Sequence, residues 1–174
     1  LAALPAAATT VISGPAQVID GDSLSVSGLS IRLFGIDAPE GQQTCNRKGE
    51  AWACGEEASR QLQAMIGDSL VRCEGFGFDD YGRTLAICRA GAVDLNRAMV
   101  SAGWATAFRK YSTLYVVQEE VAKDGRLGIW GATFISPEAY RAESKLRQPE
   151  KPEAPRKVRV PADRTFAGCN SKGN

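Results

Sequence analysis

Cys73 and Cys88 stand on either side of a turn-rich segment, Gly75-Phe-Gly-Phe-Asp-Asp-Tyr-Gly82, and this arrangement limits the fold more than any other feature of the chain. The flanking runs, residues 70–74 and 84–88, are apolar and β-branched enough to read as strands. Strands joined by a hairpin pair residues whose numbers share a constant sum, so Cys73 and Cys88 can face each other as a cross-strand disulfide. Cys45 and Cys54 bracket a polar loop with little core of its own, and a Cys45–Cys54 bridge would tether it. Each closure contributes ~2–4 kcal/mol before any strain. The competing expectation is four reduced, half-buried thiols. Cys169 is left over, and no two cysteines have the C-x-x-C spacing of a structural zinc site.

The rest of the chain extends this hairpin into a small sheet. Residues 9–19 are broken by Gly14-Pro15 and read as a bent first strand, residues 23–27 alternate polar and apolar, and residues 31–36 form a third strand. A helix over 55–66 puts Ala58, Leu62, Met65 and Ile66 on one face, with Glu56 and Glu57 in its first turn. Asp94 caps a second helix that turns Leu95, Ala98, Met99 and Ala102 inward and stops at Gly103. A third helix over 114–123 aligns Leu114, Val117 and Val121 on what is expected to be its inner face, and Ser136-Pro137 opens a short fourth. The aromatics Trp52, Phe76, Phe78 and Trp104 are expected in the core or packed under loops. A helix between the third and fourth strands, with more after the fifth, predicts an α+β fold that is mainly β. The expected architecture is a small five-stranded Greek-key barrel of the OB type.

The expected domain covers residues 10–147. Residues 1–9 read as a secretory-signal remnant or a linker, and residues 148–174 as a proline-rich basic tail, extended or disordered. Residues 1–140 hold 12 basic and 16 acidic side chains, whereas residues 141–174 hold 9 and 4. The body is therefore no general polyanion sponge, and phosphate binding there must rely on a few placed arginines. No run approaches the ~18 consecutive apolar residues of a membrane-spanning helix.

The chain contains no histidine. That removes Ser-His-Asp and Cys-His catalysis and histidine-ligated zinc, and leaves acid–base work to carboxylates. Three runs supply them: Ile19-Asp-Gly-Asp-Ser23, Ile31-Arg-Leu-Phe-Gly-Ile-Asp-Ala-Pro-Glu40 and Asp79-Asp-Tyr-Gly-Arg83. Arg32 lies within an apolar strand, Asp37 and Glu40 follow at its end, and Asp20 and Asp22 sit on a turn that can meet the same edge. An all-oxygen donor set suits a hard cation, calcium or magnesium. Two arginines, such a cation and a free carboxylate are what phosphodiester hydrolysis requires. Each run also has a structural reading. Arg83 can bridge Asp79, Arg32 can pair with Glu40, and Asp-Gly-Asp can be an ordinary turn.

Taken together in order and spacing, these runs resemble the staphylococcal nuclease (thermonuclease) family over about residues 10–134, as do Asn96-Arg-Ala-Met-Val-Ser-Ala-Gly-Trp-Ala105 and Gly128-Ile-Trp130. The resemblance implies a five-stranded OB-type barrel carrying three main α-helices, and calcium-dependent cleavage of DNA and RNA, with little sequence specificity, to 3′-phosphate ends. It further implies that Asp22, Asp37 and the main-chain carbonyl of Ala38 hold Ca2+, with Asp20 behind them. By the same resemblance Arg32 and Arg83 clamp the phosphate, Glu40 is the general base, and Tyr81 contacts a terminal phosphate. Asp80 stands where the family's best-known member has a lysine, and no stacking aromatic is assigned around Arg109, Lys110 and Tyr111. The leading expectation is a secreted or periplasmic nuclease with no obligate protein partner. The alternative is a non-catalytic nucleic-acid- or protein-binding module on the same barrel.

Overall fold

The computed structural model describes residues 10–147; the expectations for residues 1–9 and for the tail, Cys169 included, lie outside the described residues. In chain order the strands and helices are β1 (Thr10–Gly14), β2 (Ala16–Asp20), β3 (Ser23–Val26), β4 (Leu29–Leu33), β5 (Ile36–Asp37), β6 (Cys45–Arg47), β7 (Glu50–Trp52), α1 (Cys54–Ile66), β8 (Val71–Phe78), β9 (Thr84–Ala90), β10 (Val93–Asp94), α2 (Leu95–Ser101), β11 (Thr106–Ala107), α3 (Val116–Asp124) and α4 (Pro137–Arg147).

The expected first strand is split at Pro15, which has no N–H to give to a ladder. Its first half, β1, pairs with β8, and its second half, β2, pairs with β3. Between them the sheet runs β8, β9, β4, β3, with β4 and β9 parallel. Both ends of the path are thus halves of one bent strand, so the sheet curls back on itself. The mixed α+β architecture agrees with the expected barrel. β8 continues to Phe78, further than its sequence suggested, because a register shift between Gly75 and Gly77 absorbs the irregularity. This corrects one expectation: Phe78 is 74% exposed and belongs to no core, while Phe76 packs edge-on against Phe34.

The barrel interior is filled by Leu24, Ile31, Leu33 and Ile36, closed below by Leu62 of α1 and by Leu95 and Met99 of α2. Buried Asn96 ties α2 to the sheet: its Oδ1 accepts from the Cys88 N–H at 3.0 Å and its Nδ2 donates to the Phe34 carbonyl at 2.9 Å. Asp94 caps α2 as expected, accepting from the Arg97 N–H at 2.9 Å. A second small cluster gathers Cys45, Cys54 and Ile129 with Trp52, Trp104 and Trp130.

α3 corrects another expectation. Leu114, Val117 and Val121 face solvent, and Glu119 and Ala122 are buried instead. The reason is polar: Glu119 accepts from the Ala107 N–H at 3.0 Å and pairs with Arg109 and Lys123. A buried carboxylate with three partners fixes the helix rotation, and the apolar stripe is left outside.

Cys73 and Cys88 are direct cross-strand partners and are bridged, and Cys45 is bridged to Cys54. Non-reducing peptide mapping should return these two linked pairs. Reduction should lower stability by ~2–4 kcal/mol per bridge. Recovery of all four as free thiols from protein made in an oxidising compartment would contradict the pairing.

Candidate active site

Asp22 and Asp37, 1% and 2% exposed, lie at neighbouring strand ends on one rim of the barrel. Gly21 lets them meet: a Cβ there would lie 2.7 Å from the Ala38 Cβ and 2.9 Å from that of Ala58. With no side chain in the way, the β2–β3 turn presses onto the end of β5. Asp20 stabilises the turn by accepting from the Asp22 N–H at 3.1 Å. Asp22 Oδ2 accepts from the Ala38 N–H at 2.8 Å. Arg32, whose backbone pairs with Ser23 across β3–β4, bridges the two acids; it bonds Asp22 and donates Nη2 to Asp37 Oδ1 at 2.7 Å. The suggested Arg32–Glu40 pair is absent from these contacts.

Arg83 follows a turn at Gly82, whose φ of 79° favours glycine. Asp79 organises that turn, accepting from the backbone N–H groups of Tyr81 and Arg83, each at 2.9 Å. Arg83 Nε donates to Asp79 Oδ2 at 2.7 Å, so the structural reading of this pair holds. The same guanidinium also donates Nη1 to Ser23 Oγ at 3.1 Å, and Ser23 Oγ donates to Asp22 Oδ1 at 3.1 Å. One hydroxyl therefore links Arg83 to the Asp22–Arg32 cluster. Although burial pushes the Asp79 carboxyl up, the N–H and guanidinium bonds from Arg83 outweigh it and hold the group below its ordinary value. Tyr81 is 78% exposed at the tip of this turn.

Glu40 is fixed from behind. Its N–H donates to Gln43 Oε1 at 3.2 Å, and its carbonyl accepts from the Gln43 N–H at 2.7 Å. Gln43, fully buried, donates Nε2 to the Ile135 carbonyl at 2.9 Å just before α4. Gly55 at the start of α1 packs so closely that a Cβ there would fall 1.8 Å from the Glu40 carbonyl oxygen. Gln43 and Gly55, which flank the Cys45–Cys54 bridge, thus buttress Glu40, a role the polar composition of this region did not reveal.

Arg32, Glu40, Tyr81 and Arg83 line one cleft of about 780 Å³, with Asp20 at its edge and Phe78 and Tyr111 on its wall. Sequence reasoning missed Gln43, Tyr111 and Arg141. Arg141 projects from α4 and donates to Glu40 Oε1 at 2.7 Å. The only available signal was its place on an otherwise polar helix.

Two buried carboxylates without histidine or thiolate suit a hard cation, with remaining positions left to backbone oxygen and water. Among the described residues no three acidic or sulfur-bearing side chains form a ready cage; Asp22 and Asp37 turn to guanidinium charge instead. Asp22 shows the need for positive charge. Burial pushes its carboxyl well above the ordinary range, against the pull of Arg32. A carboxyl raised in the fold contributes stability below its unfolded pKa, and that contribution is lost as pH rises through the raised value. At pH 7 without cation, Asp22→Asn should therefore raise Tm. The gap should close on acidification. A variant melting below the wild type at pH 7 would contradict this.

The sequence profile described as "Staphylococcal nuclease homologue" matches residues 30–132. Succinoglycan biosynthesis protein ExoI of Rhizobium meliloti is 37% identical over 131 residues, covering 73% of this chain and 69% of that protein. An uncharacterized endonuclease of Haemophilus influenzae is 30% identical over 138 residues, covering 75% of this chain and 72% of its own length. Another from Escherichia coli O157:H7 is 31% identical over 122 residues, covering 66% and 73%.

Proposed function

Because this chain belongs to the staphylococcal nuclease homologue family, we propose that it is a calcium-dependent nuclease hydrolysing DNA and RNA with little sequence preference. The observation carrying this reading is the Ser23 bridge, which ties Arg83 to Asp22, while Arg32 joins Asp22 to Asp37; both arginines line one cleft with Glu40. Asp22, Asp37 and the carbonyl of Ala38 would hold the cation. When bound, calcium would supply positive charge to a non-bridging phosphate oxygen and to the attacking water.

The chain's own groups do the rest. Arg32 and Arg83 offer planar, two-donor forks to the phosphate oxygens, whose charge grows as water approaches phosphorus. Glu40 takes the proton from that water as the new P–O bond forms. Breaking the bond to the 5′-oxygen, which takes a proton from solvent, leaves a 3′-phosphate. Tyr81, exposed at the cleft mouth, contacts a terminal phosphate. Presence of every charged group argues against a purely binding module. Two disulfides support a secreted or periplasmic setting, since cytosolic thiols are kept reduced. Among the described residues no helix is long and apolar enough to cross a membrane.

The test uses 5′-labelled DNA and RNA oligonucleotides incubated with calcium, zinc or EGTA, followed by phosphatase treatment. Calcium should support cleavage far better than zinc, EGTA should abolish it, and phosphatase should shift the product bands. Equal cleavage in EGTA would overturn the calcium assignment. Products indifferent to phosphatase would overturn the 3′-phosphate outcome.

A further inference from the structure

α4 lies beyond residue 132, where the family match ends, yet it sends a guanidinium into the middle of the candidate site. Arg141 donates Nη1 to Asp37 Oδ1 at 2.9 Å and to Glu40 Oε1 at 2.7 Å, and Nη2 to Asp37 Oδ2 at 3.0 Å. Both oxygens of Asp37 are thereby engaged, in the position where a cation would need them. The rest of α4 is lightly held: Pro137 is its one buried residue, and Tyr140 reaches the Gln42 carbonyl at 3.4 Å. Asp37 is locked in place at 3% side-chain exposure, whereas Arg141 is 31% exposed and is the partner able to turn.

We propose that Arg141 is a third phosphate-binding arginine, held in reserve by Asp37 and Glu40 and released to the nucleic-acid strand when a cation binds Asp37. This rests on the calcium reading above. A guanidinium fork that fits the two oxygens of a carboxylate also fits two oxygens of a phosphate. A divalent cation at Asp37 repels the fork at short range, and the fork already borders the cleft that Arg32 and Arg83 line. Lys145, one turn further along α4, borders the same cleft and adds a second positive charge. Cation and Arg141 thus compete for one carboxylate, while cation and strand assist each other through Arg141. Reciprocity of linked equilibria makes both effects measurable.

Calcium is titrated calorimetrically into wild type, Arg141→Ala and Arg141→Lys. A single-stranded phosphorothioate DNA octamer, which resists hydrolysis, is then titrated with and without calcium. Arg141→Ala should bind calcium about tenfold more tightly and, in calcium, bind the octamer about tenfold more weakly. Arg141→Lys should keep most of the competition for calcium but recover only part of the octamer affinity, because it keeps the charge without the fork. These opposite shifts separate the proposal from a merely structural α4, whose loss would move both affinities the same way or neither. Calcium affinity unchanged or weaker in Arg141→Ala overturns the proposal, as does undiminished octamer binding. If neither wild type nor Arg141→Ala takes up calcium, the calcium reading itself falls, and this inference with it.

Discussion

Arg83→Lys should lower turnover on single-stranded DNA by about 10²–10³-fold while KM changes little, because a donor aimed at developing charge acts in the transition state. Arg83 Nε is committed to Asp79 and Nη1 to Ser23, so the guanidinium is held in one orientation with its remaining N–H groups available. A lysine keeps the charge and can satisfy Asp79 or Ser23, but it cannot hold both and still present a planar fork. The fold should survive, since Arg83 belongs to a surface turn and the Tyr81 and Arg83 backbone N–H groups still bond Asp79. Initial rates measured over a range of substrate concentrations separate kcat from KM. Wild-type turnover in the lysine variant would confine Arg83 to its bridge with Asp79.

Much of the barrel was legible because it depends on local chemistry. Proline at position 15 and glycine at position 21 mark the places where the first strand breaks and the acidic turn closes. Asp94 reads as a cap because its carboxylate needs only the N–H three residues on. The two cysteine pairs could be placed because a hairpin and a short loop each bring their ends together. The α3 face could not be read in this way. Residues 114, 117 and 121 repeat with helical spacing, and so do 115, 119 and 122. The choice between them was made by the Ala107 N–H and Arg109, which lie outside the helix. Arg141 was hidden for the same reason: its partners stand over a hundred residues earlier, at a separation of 104 from Asp37 and 101 from Glu40. Periodicity describes a helix's faces but carries no information about a charged pair formed across such distances.

The second large effect concerns Glu40. Replacing Glu40 with glutamine removes a proton acceptor while keeping the shape, and Oε1 can still accept from Arg141. Gln43 and Gly55 position the backbone at residue 40 and are untouched by the change. Thermal stability should therefore stay near that of the wild type while the rate falls by about 10²–10⁴-fold, the usual contribution of a positioned base. The most direct measurement is the initial rate of cleavage of one single-stranded DNA oligonucleotide by wild type in calcium, wild type in EGTA, and Glu40→Gln in calcium, all purified identically. The account predicts rapid cleavage in the first case alone. Cleavage by Glu40→Gln at the wild-type rate, or by wild type in EGTA as fast as in calcium, would contradict it.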